Sequence, residues 1–291
     1  MRARRLGCGL WLAAALCAAP PANAADLFPP PGAILRNMVA LDGKQVPLPA
    51  GDWLVAGTAT ADFDGARLGA FGRMRELVPF QVDGGAVSAI AEITTNMLPT
   101  SDGWGISRDC ARSDMLLAVT RFKAGWDAAC LHVAHTLTGA AAASAAWRVA
   151  ADHAVRQGWP VPPVLLTAGF RVADRADVVD LRLHVAPARL GAPADPAPTS
   201  WRDSPWHVRR IAEDASRKAA AEALGRWALV FDGLVAAGLR NHLDPAAPPV
   251  DLPLADPPPP RMMRNARCWK RSVARPALRW RTRRRWPSTR R

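Results

Sequence analysis

The sequence predicts an α+β fold, an antiparallel sheet covered by two main helices, followed by a disordered basic C-terminal tail. Three observations carry that expectation. Leu131, Val133, His135 and Leu137 alternate with His132, Ala134 and Thr136, and Val179, Leu181, Leu183 and Val185 alternate with Asp180, Arg182 and His184. A period of two marks strands with one buried face. Asp83-Gly84-Gly85 stands between two extended runs as a hairpin signal. Residues 139–158 and 214–243 carry apolar residues at helical spacing instead.

Taken in order, residues 1–24 have the three marks of a secretory signal peptide. Arg2, Arg4 and Arg5 make a positive start, Leu10 to Ala19 an apolar run, and Ala22-Asn23-Ala24 a small-residue site that places cleavage between Ala24 and Ala25. The run is shorter than the roughly 18 apolar residues of a membrane span. The expectation is an exported protein that does not span the membrane, periplasmic or extracellular in a bacterial envelope.

Export bears on the cysteines. Of the five, Cys8 and Cys17 leave with the signal and Cys268 lies in the tail, so Cys110 and Cys130 remain for the body. In an oxidising compartment two such cysteines are expected to pair. Closing that loop contributes on the order of 3 kcal/mol by the chain-entropy estimate. Their spacing fits neither a zinc site nor a CxxC redox motif.

Residues 25–188 read as a mainly β body with one helix. Asp26 to Gly32 is an irregular lead-in, and GDWLVAGTATADF begins with a turn and continues extended. Asp62-Phe63-Asp64-Gly65 has the start of a calcium loop without its later acids and closing glutamate, and is expected to be a turn. Pro79 is expected to put its strand at a sheet edge, because proline cannot donate to a ladder. In the alanine-rich helix, Thr138 is the expected N-cap and Gly158 the stop, with Trp147, Ala151, Ala154 and Val155 as the apolar stripe.

Residues 189–204 form a Pro/Ala-rich loop and 205–243 a C-terminal helical segment packing on the body. Ser204 and Pro205 read as its entry, and Leu224, Trp227, Phe231, Leu234, Val235 and Gly238 as its apolar face. Residues 244–291 are expected to be a disordered tail.

The formal charge of +13 is not spread evenly. Residues 257–291 hold 13 Lys and Arg and no acid, whereas 25–256 hold 22 basic and 25 acidic residues, a balance of −3. The electrostatic footprint of a nucleic-acid-binding domain is absent from the body, so no nucleic-acid partner is expected. The composition changes so sharply near Asp256 that a shifted reading frame is one expectation for the tail. A cationic arm for an anionic surface polymer is the other.

The chain carries few motifs. His132 and His135 form an HxxH pair whose side chains on a strand point to opposite faces, and no HExxH sequence accompanies them. His135 is expected to be a hydrogen-bonded core histidine, and His184 to belong to a solvated polar face with Asp180 and Arg182. Ser204 and His207 lack a visible third partner for catalysis. No motif calls for a metal or a cofactor, and no residue is singled out as catalytic. Eight tryptophans lie outside the signal and tail, and they are expected to be core or loop-pinning anchors. The leading expectation is a non-enzymatic envelope protein that binds another envelope protein or a surface polymer. An exported hydrolase built from residues distant in sequence, with His135, His184 or His207 as the imidazole, is the alternative.

Overall fold

The computed structural model describes residues 28–65, 70–101, 103–139 and 144–253. The expected signal peptide with its cleavage site at Ala24 and Ala25, and the basic residues 257–291, lie outside these residues. Ten strands form in chain order: β1 (Ile34–Leu35), β2 (Met38–Leu41), β3 (Lys44–Pro47), β4 (Trp53–Gly65), β5 (Ala70–Asp83), β6 (Ala86–Asn96), β7 (Leu117–Ala124), β8 (Asp127–Leu137), β9 (Val164–Ala173) and β10 (Val178–Val185). Helix α1 (Ala145–Gln157) interrupts them after β8, and α2 (Ala215–Leu239) follows them. Eight strands make one antiparallel sheet in the order β1-β4-β5-β6-β10-β9-β8-β7, and β2 and β3 pair separately as a hairpin. The chain walks out through β4, β5 and β6, crosses to the far edge at β7, and walks back until β10 meets β6.

The Asp83-Gly84-Gly85 turn forms as its sequence requires. Asp83 pairs with Ala86, and Gly84 and Gly85 take φ of 58° and 79°, the left-handed values of a tight hairpin. Pro79, by contrast, is in an interior strand. It lies opposite Val55, where the β4 register shifts between Val55 and Gly57, so the missing donor coincides with a bulge rather than an edge. Asp62-Phe63-Asp64-Gly65 is not a turn either; it completes β4 and pairs with β5.

Alternation along the strands separates two apolar clusters. Val55, Leu77, Ile93, Leu131, Phe170, Leu181 and Leu183 pack with Leu224, Phe231 and Val235 of α2. Their neighbours Ala56, Val78, Phe80, Ile90 and Leu165 pack with Ala146, Trp147, Ala150 and Ala154 of α1. The two helices thus pack on opposite faces. Helix α1 begins at Ala145 rather than directly after Thr138, with Ser144 as N-cap, its hydroxyl accepting from the Trp147 amide at 3.2 Å. Thr138 instead donates its hydroxyl to the Pro162 carbonyl, and Gly158 ends the helix at φ 68° as expected. The apolar stripe is also rotated: Ala150 is buried, while Val155 is exposed.

Ser204 does not open a helix. Its hydroxyl accepts from the Trp206 amide and its carbonyl from His207 N–H, a turn that swings Trp206 into the core to donate to Asp195 at 2.7 Å. Helix α2 starts only after Asp214, whose carboxylate takes the Ser216 and Arg217 amides at 2.8 and 3.0 Å. The packed body continues past 244, where the tail is expected to begin: Leu252 is buried, and the Asp251 carbonyl accepts from the Trp227 indole at 2.7 Å. The indoles of Trp53 and Trp104 pin loops in the same way, through the Pro49 and Ala176 carbonyls.

One close approach fixes α1. A Cβ added at Gly57 would lie 2.1 Å from the Ala146 carbonyl oxygen and 2.8 Å from the Ala150 nitrogen, so helix backbone rests directly on strand backbone. Gly57→Ala should therefore displace α1 and cost about 1–3 kcal/mol by overpacking. A lower urea midpoint at unchanged slope is the expected result, and a wild-type midpoint would contradict the contact.

Candidate functional site

The polar side of β10 looks onto the same face as α1. Its register places Arg182 beside Glu92 of β6 and Gly169 of β9, and Gly169 in turn beside His132 of β8. One row across four strands therefore reads Glu92, Arg182, Gly169, His132. The glycine makes the row possible: a Cβ at 169 would sit 2.2 Å from His132 Cε1, so the imidazole lies over the position where a side chain would stand. In the adjacent row His184 pairs with Thr167.

Three walls rise around these rows. The first is the short 3₁₀ turn Asp109–Ala111, tied down by the disulfide from Cys110 to Cys130, whose Cα atoms are 6.1 Å apart. From it Asp109 reaches Arg182 at 3.6 Å and Arg112 at 3.7 Å, and Arg112 is gripped by both oxygens of Asp114 at 2.8 and 3.0 Å. The second wall is Trp147 of α1, edge-on to His184 at 5.1 Å. The third is Trp201, stacked on His135 at 4.7 Å with the Arg112 guanidinium 4.8 Å from its ring. His135 and Trp201 also exchange hydrogen bonds between ring nitrogen and carbonyl, both at 2.9 Å. Together they enclose a pocket of about 300 Å³, at the small end of the roughly 300–1,000 Å³ of ligand sites.

The pocket floor is charged, but its charges are already matched. Arg182 lies 3.3 Å from Glu92, and His184 Nε2 lies 3.7 Å from the same carboxylate. Burial works against ionising Glu92, but His184, Arg182 and the Ser144 hydroxyl outweigh it and hold the carboxyl down to about 2. The imidazoles go the other way. Burial lowers His132 to about 4 despite Asp109, lowers His135 to about 4 despite the Trp201 carbonyl, and lowers His184 despite Glu92. At neutral pH the floor holds an ionised Glu92, cationic Arg182 and neutral imidazoles.

A hydrogen-bonded chain runs from Thr136 through Thr167 to His184 Nδ1, at 2.7 and 2.8 Å. The other ring nitrogen of His184, Nε2, is buried in the pocket without a hydrogen-bond partner. Buried polar atoms almost always have one. This nitrogen faces the Glu92 carboxylate at 3.7 Å, beyond hydrogen-bond reach, and is left unsatisfied at the pocket floor.

His184 is only 2% exposed and belongs to a pocket floor, whereas Arg182 on the same face is exposed as expected. His132 joins that floor, and His135 is hydrogen-bonded in the core as expected while its ring also forms the rim. His207 packs edge-on to Trp201 at 4.7 Å, and Ser204 serves its turn, so these two do not form a catalytic pair. Among the described residues no three His, Cys, Asp or Glu side chains cluster to hold a metal, and no helix is long and apolar enough to cross a membrane. Sequence reasoning does not single out Glu92, Asp109, Arg112 or Thr167. Glu92 and Thr167 have a signal, each a polar residue inside an apolar run, AIAEI and LLTAG. No protein-family model matches this chain, and neither a curated protein nor a solved structure matches it.

Two measurements test the site's construction. Replacing Cys110 and Cys130 together by serine should cost about 2–5 kcal/mol and lower Tm accordingly. An unchanged Tm under non-reducing conditions would mean the bond does not brace the wall. The histidines make stability pH-dependent in one direction. Their folded values near 4 lie below the ordinary 6.5, so as pH falls from 6.5 to 4 the unfolded chain takes up protons first and stability drops. Glu92 adds a further loss between its ordinary 4.5 and about 2. Thermal unfolding at fixed ionic strength should give a falling Tm through this range; a flat Tm from pH 7 to about 4.5 would contradict it.

Proposed function

We propose that this chain is an exported, non-enzymatic binding protein whose pocket takes up a small polar ligand. The single observation behind this reading is the buried, unpartnered His184 Nε2 in a preformed pocket beside a charge-matched Glu92–Arg182 pair. Such convergent polar groups in an apolar surround are the usual make-up of a ligand site. The signal-like N-terminus and the Cys110–Cys130 bond fit a periplasmic or extracellular setting, with α1 covering the sheet beside the site and α2 covering its other face. A carboxyl held down to about 2 is a poor proton donor at neutral pH, which argues against acid catalysis by Glu92. Binding to a surface polymer through the tail rests on residues 257–291, outside those described.

The chain has no tyrosine, so its emission reports tryptophan alone, Trp147 and Trp201 of the pocket included. Titrating a collection of small polar metabolites into the full chain should give saturable fluorescence changes for at least one. Arg182→Gln should weaken that ligand about tenfold or more, the loss of a charged hydrogen bond, with the far-ultraviolet dichroism unchanged. Equal affinity in the variant would sink the assignment to this pocket.

The 2.8 Å contact between Thr167 and His184 supports a second reading, an exported hydrolase with Thr167 as nucleophile, His184 as base and Glu92 behind it. Turnover of a p-nitrophenyl ester by the full chain, abolished in Thr167→Val, would replace the binding reading with this one. No turnover, or turnover unchanged in the variant, removes it.

A further inference from the structure

We infer that the ligand of this pocket is a neutral polyhydroxylated molecule of monosaccharide size, an inference that rests on the binding reading above. Charge is the first constraint on the ligand. The two guanidinium groups at the pocket are already engaged: Arg182 by Glu92 at 3.3 Å and Asp109 at 3.6 Å, Arg112 by both oxygens of Asp114 and by Asp109 at 3.7 Å. In the pocket lining two guanidinium groups therefore face two carboxylates, Glu92 and Asp109, before any ligand arrives. An anionic ligand at Arg182 would meet the Glu92 and Asp109 carboxylates at close range, and drawing the guanidinium toward itself would leave Glu92, whose side chain is only 12% exposed, without its cation. Breaking such a pair costs more than the pair itself contributes. A cationic ligand would face the same guanidinium groups at close range.

A hydroxyl group escapes both penalties. It accepts from a guanidinium N–H and donates to a carboxylate at once, so it can bridge Arg182 and Glu92 without separating them. Neighbouring hydroxyls on one ring repeat that demand at a spacing that adjacent residues of a sheet can meet. The floor supplies further neutral groups: His184 Nε2 without a partner, and the His132 imidazole laid over Gly169. The Thr136–Thr167–His184 chain holds Nδ1, which fixes the orientation in which Nε2 is presented. Trp147 and Met115 also line the pocket and supply apolar surface for the C–H side of a ring. The volume accommodates one such ring.

The test uses the full chain and six probes: glucose, galactose, N-acetylglucosamine, glucuronate, glutamate and inorganic phosphate. The expected result is a saturable change in tryptophan emission with at least one of the three neutral sugars and none with the three anions. Glu92→Gln should weaken the sugar about tenfold and, by freeing Arg182, bring glucuronate into measurable range. This exchange of preference is something a merely destabilised variant would not show, and the wild-type titration stands whether or not the variant folds. Saturable binding of an anion with none of the neutral sugars overturns the ligand class and leaves the pocket reading in place. No response to the six probes, with a hit of another chemistry from the metabolite collection, does the same. No saturable ligand from either set overturns both.

Discussion

A carboxylate set into the middle of a sheet has to be answered by charge or by donors, and the answer given to Glu92 organises one whole face of this protein. Arg182 stands directly across from it on β10, His184 lies within 3.7 Å, and the start of α1 is close by. On the neighbouring strand Glu76 has the same role, accepting the Ala146 amide at 3.1 Å. Two carboxylates of the sheet thus lie toward the positive end of one helix, where the free amides and the dipole favour negative charge. The position of α1 follows as much from these acids as from its apolar stripe. Without them the same helix would have no electrostatic reason to begin at Ser144.

A second polar node docks the small hairpin. Asp42, in the tight turn between β2 and β3, accepts Arg75 through both oxygens at 2.9 Å and the Thr95 hydroxyl at 2.9 Å. Lys44, two residues on, reaches Asp177 and the Asn96 carbonyl, each at 2.9 Å. Buried pairs of this kind add little net stability compared with well-packed apolar residues, but they reject alternative placements. The hairpin is thereby located against β5, β6 and the loop before β10. The two nodes differ in completeness: in the pocket a ring nitrogen of His184 is left over.

The alternating strands, the DGG turn, the disulfide and the apolar face of α2 are all legible in the sequence, because each depends on local spacing or on residue type alone. The pocket is not. Its floor is assembled from β6, β8, β9 and β10, and the cross-strand register that aligns Glu92 with Arg182 and Gly169 with His132 is a property of pairing that no single segment encodes. Pro79 misleads for a related reason, since a bulge in the neighbouring strand absorbs its missing donor. Val155 misleads because the buried face of α1 is set by its seating on Gly57, which turns Ala146 and Ala150 to the strand. Alternation does place Asp180, Arg182 and His184 on one face, but it cannot say that a tryptophan from α1 and a cysteine-anchored turn will enclose that face.

The three walls of the pocket differ in how they are held, and that difference decides where the structure can yield. Helix α1 lies backbone to backbone on Gly57, with no side chains between to slide or repack. The turn that carries Asp109 is joined covalently to β8. Trp201 has neither constraint: it comes from an irregular segment and is held by its exchange of hydrogen bonds with His135 and by contacts with two rings and a guanidinium. Of the three walls this is the one fixed by hydrogen bonds and ring contacts rather than by backbone packing or a covalent bond.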